Sequence, residues 1–154
     1  MSPEEKVVQF LLEKGYTITT AESCTGGLLA GTLLNVSGAS GVYNEGYITY
    51  ANEAKERLVG VKHETLETFG AVSEQTAREM AEGAAKAAKA DVGLSTTGVA
   101  GPTGGTPEKP VGLIYIGCCI NGVTKVKECR FDGSREENRK HAVIAALELA
   151  LDCL

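Results

Sequence analysis

The feature that most constrains the fold is an alternation of strand and helix signals along the 154 residues. Runs of β-branched and aromatic residues indicate strands, whereas apolar residues at helical spacing indicate helices. The predicted strands cover residues 16–20, 42–50, 91–97, 111–120 and 123–131. The predicted helices cover residues 3–14, 25–35, 52–59, 64–69, 73–89 and 134–151. Asn121-Gly122 joins the last two strands and is the strongest short hairpin signal.

This order of elements predicts an α/β fold, a three-layer α/β/α sandwich with a mixed, mostly parallel sheet. Strands alternate with helices through most of the chain, and one hairpin lies near the end. A chain of this length buries most of its apolar surface in a single core. No internal repeat, low-complexity tract or linker interrupts it, so we expect one domain over residues 1–154.

The composition argues against several classes of partner. The formal net charge is −5, whereas nucleic-acid binding relies on Lys and Arg side chains that neutralise phosphates. No apolar run reaches the roughly 20 residues that span a bilayer. The polar start at Ser2–Lys6 lacks the charged and then apolar pattern of a secretory signal. We therefore expect a cytoplasmic protein with neither a nucleic-acid nor a membrane partner.

The cysteines and histidines give no sign of a metal site. The five cysteines form no Cys-x-x-Cys pair, and His63 and His141 lie in polar helical contexts without matching ligand spacing. Reduced, buried thiols are the better interpretation of Cys118, Cys119, Cys129 and Cys153. We expect no metal ion and no other cofactor.

A turn between the first predicted strand and the second predicted helix carries candidate chemistry. In the segment Thr20–Gly27, the residues after Thr20 include two hydroxyls and a thiol, followed by two glycines. Free N–H groups and the positive end of the helix dipole favour negative charge there. Ser23 could therefore act as a nucleophile, with nearby amides stabilising the oxyanion. The alternative is an ordinary capped turn, in which Ser23 or Thr25 accepts N–H bonds from the first helical turn.

Two more segments rich in hydroxyls and glycine also fall at predicted strand ends, at residues 50–55 and 96–102. Ligands bind outside the carboxyl ends of strands in open α/β sheets. We therefore expect Ser23, Tyr50, Lys55 and Thr97 to share a pocket.

A serine beside a desolvated lysine makes a nucleophile–base pair that needs no histidine. The Tyr50 hydroxyl could hydrogen-bond either group or relay a proton. Two ordinary interpretations stay open. Lys55 could be a solvated helix lysine that faces a neighbouring glutamate, and Tyr50 could be a half-buried strand aromatic.

Two other segments could contact an anionic ligand. Residues 97–105 lack the Gly-Lys-Ser/Thr ending of a Walker A loop, yet they could present several N–H groups to a phosphate. Ser134, Arg135 and Arg139 at the last helix could clamp a phosphate or carboxylate. The alternatives are a flexible surface turn and an N-cap with two solvated arginines.

Together these residues resemble the C-terminal domain of the CinA (competence- and damage-inducible) family. Its stand-alone members include the nicotinamide-nucleotide amidohydrolases. Each matching segment alone is a weak signal, but together they keep the family order and cover nearly the whole chain. The matching segments are residues 20–27, 46–55, 70–73, 98–102 and 109–112.

The resemblance implies hydrolysis of the carboxamide of nicotinamide mononucleotide to nicotinate mononucleotide and ammonia, with no metal requirement. It also implies Ser23 as the nucleophile, Lys55 as its base and Tyr50 close by, with a small-molecule nucleotide as the partner. The positions that match substrate contacts are Thr25, Gly26, Gly27, Ser40, Thr97, Gly98, Gly101, Arg135 and Arg139. Which arginine matches the family's position stays open, as does the role of Ser40.

Alternatives to this function stay open from the sequence. Cys24 could be the nucleophile, because a helix N-terminus lowers the pKa of a thiol, and Ser40 is a further candidate. The chain could instead be a nucleotide-binding or adapter module without catalysis, or an amidase that acts on another small amide.

Two expectations concern what surrounds this domain. Longer family members carry an N-terminal molybdopterin-binding-like domain associated with metal-dependent ADP-ribose pyrophosphatase activity. That domain is absent from this sequence, so we expect that activity to be absent too.

The apolar final helix, residues 142–151, leaves room for a dimer interface. We expect a homo-oligomer, although a buried core helix explains the same pattern.

Overall fold

The computed structural model describes all residues 1–154, which form a five-stranded sheet with helices on both faces. The strands are β1 (Ile18–Glu22), β2 (Tyr47–Ile48), β3 (Val92–Gly98), β4 (Leu113–Ile120) and β5 (Val123–Arg130). They lie in the order β2-β1-β3-β4-β5. β1 pairs in parallel with β2 and β3, whereas β4 pairs antiparallel with β3 and β5. The predicted α/β fold with a mixed sheet is confirmed.

Six α-helices form the two outer layers. They are α1 (Pro3–Lys14), α2 (Leu28–Leu34), α3 (Asn52–Val59), α4 (His63–Phe69), α5 (Glu74–Ala88) and α6 (Arg135–Cys153). The larger core lies between the sheet and α1, α2 and α6, and a smaller cluster lies under α3, α4 and α5. This arrangement confirms the predicted three layers.

The helix ends follow local capping signals. Ser2 and Ser134 each cap a helix in a reciprocal capping box with the glutamate three residues later. Ser73 caps α5 through its hydroxyl, and Gly15 ends α1 in the left-handed conformation. These ends were predictable because each depends on residues within one turn of the helix.

Two glycines let α5 approach the sheet closely. A Cβ on Gly117 of β4 would lie 2.7 Å from the backbone oxygen of Ala77, and one on Gly93 of β3 would collide with the oxygen of Ala81. Alanines on the facing side of α5 keep the remaining surface small. The close packing fixes the smaller layer against the centre of the sheet.

The loops around β1 differ from the sequence prediction. The strand predicted at 42–50 is reduced to Tyr47–Ile48, with one isolated bridge between Ile18 and Tyr43. Its alternating pattern arises from single side chains, such as those of Val42 and Thr49, that a loop buries. α2 begins at Leu28 rather than near residue 25, because the two preceding glycines adopt positive φ.

α3 lacks the side-chain cap that an asparagine such as Asn52 can supply. Asn52 is the first residue of the helix, and the cap position is Ala51 without a side-chain cap bond.

Candidate active site

A pocket of about 300 Å³ opens beside the carboxyl ends of β1 and β3. Its volume is at the lower end of the range for small-molecule sites. The nucleophile turn, defined as residues 23–27, contributes Ser23 and Cys24 to the wall. The remaining wall comes from Tyr50, Lys55, residues 71–72, the glycine loop, defined as residues 97–105, and Arg135. The four residues that the strand ends predicted to meet therefore do line one pocket.

Ser23 and Lys55 form the central contact of this pocket. The Lys55 Nζ lies 3.0 Å from the Ser23 Oγ. The same nitrogen lies 2.8 Å from the Thr49 backbone oxygen and 3.2 Å from that of Tyr50. Ser23 is positioned by the end of β1, where its amide donates to the Thr96 backbone oxygen on β3. Lys55 projects from the first turn of α3.

The Lys55 amine is buried without a carboxylate partner. Its side chain is among the largest fully buried ones, with the residue only 1% exposed, and all its hydrogen-bond partners are neutral oxygens. This burial lowers the pKa of Lys55 to about 8. About a tenth of the molecules then carry a neutral amine at pH 7. The solvated-lysine interpretation is therefore wrong.

Cys24 lies in the same wall but has the opposite tendency. Its residue is buried, and this burial raises the pKa of the thiol to about 11. The expected lowering of the pKa by a helix N-terminus does not occur. At neutral pH the Cys24 side chain is a protonated thiol, which is a poor nucleophile.

Glu22, which was not singled out from the sequence, occupies the amides at the start of α2. Its buried carboxylate accepts from the Leu29 amide at 2.8 Å, the Ala30 amide at 3.0 Å and the Gly27 amide at 3.2 Å. It thereby satisfies the N-terminal amides of α2 from inside the protein. A helix that starts after glycine, with an acid a few residues upstream, is the signal that could have identified Glu22.

This internal cap corrects three predicted substrate contacts. The Thr25 hydroxyl donates to Glu22 Oε1 at 2.6 Å and is fully buried. Gly26 donates its amide to the Ser23 backbone oxygen, and Gly27 donates to Glu22. None of Thr25, Gly26 and Gly27 lines the pocket, because their polar groups shape the turn instead.

A protein family matches the chain over its whole length. The model of the CinA C-terminal domain matches residues 1–154. The chain belongs to the CinA C-terminal domain family. A CinA-like protein of Kosmotoga olearia is 58% identical over 147 residues, which are 96% of this chain and 36% of that protein. A competence-damage inducible protein of Clostridium novyi is 58% identical over 94% of this chain and 35% of its own length. The CinA domain thus spans about a third of these curated relatives.

Solved structures of CinA proteins share this fold. The competence/damage inducible protein CihA from Agrobacterium tumefaciens superimposes with a TM-score of 0.91 at 42% identity, covering 99% of this chain and 96% of that one. A CinA superfamily protein from Escherichia coli superimposes with a TM-score of 0.95 at 36% identity, covering 99% of this chain and 88% of that one.

The two arginines of α6 occupy different places in the CinA domain. Arg135 lines the pocket, with Nη1 donating to the Gly101 backbone oxygen at 2.8 Å and Nη2 lying 3.4 Å from the Tyr50 hydroxyl. Arg139 lies outside the pocket and donates to backbone oxygens of the nucleophile turn. Arg135 is thus the arginine that faces the pocket, whereas Arg139, predicted as a substrate contact, lies outside it.

The Tyr50 side chain is further from the chemistry than expected. It is 64% exposed, and its hydroxyl bonds Arg135 rather than Ser23 or Lys55. Only its backbone oxygen reaches Lys55. Tyr50 therefore lies at the pocket mouth, beside the pocket arginine.

The glycine loop forms the wall opposite the nucleophile turn. The Thr97 hydroxyl donates to the Ala71 backbone oxygen at 2.8 Å, so this threonine ties two walls together. At Gly98, a Cβ would lie 2.6 Å from the Cα of Ile114. Gly101, predicted as a substrate contact, does not line the pocket, and its backbone oxygen accepts from Arg135 instead. The amides of Thr103 and Gly104 donate to no group of the protein and remain available to a ligand.

Ser40 does not line the pocket. It is exposed in a short 3-10 helix, Ala39–Gly41, whose flanking glycines approach Leu12 of α1. Ser40 therefore lies outside the pocket, which corrects its predicted position.

No group of three or more His, Cys, Asp or Glu side chains is arranged to hold a metal ion. None of the helices has the length and apolar character required to cross a bilayer.

Proposed function

We propose that this CinA domain hydrolyses the carboxamide of nicotinamide mononucleotide to nicotinate mononucleotide and ammonia. The observation that carries the proposal is the contact between the Ser23 Oγ and the buried Lys55 Nζ at 3.0 Å. A serine needs a base to become a nucleophile, and a lysine whose pKa is lowered to about 8 can supply one. Membership of the CinA family and the resemblance to its nicotinamide-nucleotide amidohydrolases favour this substrate.

The surroundings of Lys55 favour the role of a base. A neutral amine has two N–H donors and one lone pair. The backbone oxygens of Thr49 and Tyr50 can accept both donors, which leaves the lone pair directed at the third neighbour, Ser23. The same two oxygens stabilise the ammonium once Lys55 has taken the proton. The site thus serves both protonation states without moving.

The reaction follows from this pair. The Ser23 Oγ attacks the carboxamide carbon while its proton moves to Lys55, and a tetrahedral oxyanion forms. The carbon–nitrogen bond then breaks, and Lys55 gives the proton to the departing ammonia. Water attacks the resulting ester with Lys55 again as base, releasing the carboxylate and restoring the Ser23 hydroxyl.

The opposite side of the pocket suits the nucleotide end of the substrate. Arg135 carries a permanent positive charge, and the free amides of Thr103 and Gly104 add hydrogen-bond donors. A guanidinium beside several backbone N–H groups is a common arrangement for phosphate. We therefore expect the mononucleotide to be hydrolysed in preference to nicotinamide riboside.

The experiment that tests the proposal measures ammonia released from nicotinamide mononucleotide in the presence of a chelator. The native protein should release ammonia, whereas Ser23→Ala should not. Ser40→Ala is the matched control, because it removes the same hydroxyl from a serine outside the pocket, and it should behave as native. Equal release by native protein and Ser23→Ala would refute Ser23 as nucleophile. Binding without any release would instead indicate a nucleotide-binding module.

A further inference from the structure

Arg139 holds the back of the nucleophile turn. Its Nε donates to the Cys24 backbone oxygen at 2.9 Å, and its Nη2 donates to the Thr25 backbone oxygen at 2.9 Å. No carboxylate forms a salt bridge with Arg139. Its guanidinium is therefore directed at two successive carbonyls of the turn that carries Ser23.

These carbonyl contacts determine where the turn's amides point. The C=O and N–H of a trans peptide lie on opposite sides. Since the Cys24 carbonyl faces Arg139, the Thr25 N–H in the same peptide faces away from it. The Ser23 carbonyl accepts from the Gly26 amide, so the Cys24 N–H points away from Gly26.

Both of these amides are free. Neither the Cys24 nor the Thr25 N–H donates to another residue, although the other amides between Ser23 and Ala30 that could compete for an anion are bound to Glu22 or to turn carbonyls. The Cys24 N–H belongs to the peptide that joins the two pocket-lining residues of the turn. The Cys24 N–H is therefore the donor that the turn offers at the pocket wall, since Thr25 is fully buried and does not line the pocket.

We propose that the Cys24 N–H binds the oxyanion, and that Arg139 is the positioning residue that holds the turn carrying this donor. This inference rests on the proposed amide hydrolysis by Ser23. Arg139 binds the carbonyl of Cys24 and that of the next residue, so it acts through the backbone, without touching the substrate.

The expected effect lies in the chemical step. Removing one oxyanion donor typically lowers kcat by about 10²- to 10³-fold. Arg139→Ala misplaces the donor rather than deleting it, so we expect kcat to fall by about tenfold to a hundredfold. KM for nicotinamide mononucleotide should stay within about twofold, because Arg135 and the glycine loop remain intact.

The test compares native protein, Arg139→Ala, Arg139→Lys and Lys140→Ala in the ammonia assay. Lys140 is the matched control, since it is an exposed cation one residue further along α6 that pairs only with Glu136. Added guanidinium ion should restore part of kcat in Arg139→Ala and have no such effect on native protein or Lys140→Ala. Arg139→Lys keeps the positive charge and can bind one of the two carbonyls, so its kcat should be intermediate. If the alanine variant does not fold, Arg139→Lys is compared with the native protein in its place.

The outcomes separate this inference from the proposed function. If Arg139→Ala is as active as the native protein, the inference is overturned and the proposed function is not. Arg139 would be merely structural if kcat fell and KM rose together in Arg139→Ala, guanidinium gave no rescue and Arg139→Lys was not intermediate. That result would also overturn the inference. Absence of release by the native protein would overturn the proposed function, and the inference with it.

Discussion

Lys55 should make the free energy of unfolding depend on pH in the alkaline range. Burial lowers the pKa of its amine to about 8 in the folded protein, whereas an unfolded lysine titrates near 10.4. Between these values the unfolded chain binds the proton and the folded chain does not, so the free energy of unfolding rises with pH. One pKa unit corresponds to about 1.4 kcal/mol, so the whole effect is about 3 kcal/mol, with about 2 to 3 kcal/mol of it between pH 7 and 10.

The assay is urea unfolding at pH 7, 8, 9 and 10 for native protein and Lys55→Met. The methionine variant leaves two backbone oxygens unpaired, but that cost is independent of pH and cancels between conditions. Tyrosine and cysteine titrations occur in both proteins and cancel as well. The free energy of unfolding of the native protein minus that of Lys55→Met should therefore increase by about 2 kcal/mol or more from pH 7 to 10.

Lys140→Met is the control, because its lysine is exposed on α6. The difference in free energy of unfolding between the native protein and this variant should stay constant over the same pH range. A level difference for Lys55→Met as well would show that Lys55 keeps an ordinary pKa and stays charged. That result would refute the argument that burial prepares Lys55 as a base.

Three other outcomes follow from the structure. Because Lys55 must be neutral to take the Ser23 proton, kcat/KM should rise tenfold per pH unit and level off near pH 8, and a flat profile from pH 6 to 9 would contradict its role. Cys24→Ala should keep ammonia release within about threefold of native, since its thiol stays protonated; a loss comparable to Ser23→Ala would reinstate the thiol. Gly117→Ala should lower the free energy of unfolding by about 1–3 kcal/mol as α5 is displaced. The Gly31→Ala control, where a Cβ meets nothing, should be neutral or stabilising, and equal losses in urea unfolding would contradict close packing.

The fold was predictable wherever a signal is local. Ser73 caps α5 through a hydroxyl three residues from its acceptor, and Asn121-Gly122 closes the predicted hairpin of β4 and β5. β2 was not predictable in length, because the alternation in residues 42–50 records burial and not pairing. Only Tyr47 and Ile48 pair with β1, since the preceding residues leave the sheet in a loop.

The contact between Ser23 and Lys55 was predictable for a reason of topology. Ser23 and Lys55 follow strand ends, and parallel strands bring those ends to one edge of the sheet. The burial of Lys55 was not predictable, since the residues around it in α3 are charged and indicate a solvated face. Glu22 was missed because its partners are backbone amides, and a sequence does not show which amides lack acceptors.

The spacing along α6 explains why the sequence left two arginines unresolved. Residues 135, 138 and 139 lie at helical intervals that share one face, so spacing alone places both arginines near the pocket. They differ in the wall that each reaches. Arg135 contacts the glycine loop, and the buried Asn138 donates to the Ala100 backbone oxygen of the same loop at 3.0 Å. Arg139 reaches the nucleophile turn instead. One rigid helix thus sets the separation of Ser23 from the loop opposite it, and a change that shifts α6 should alter catalysis before it alters the fold.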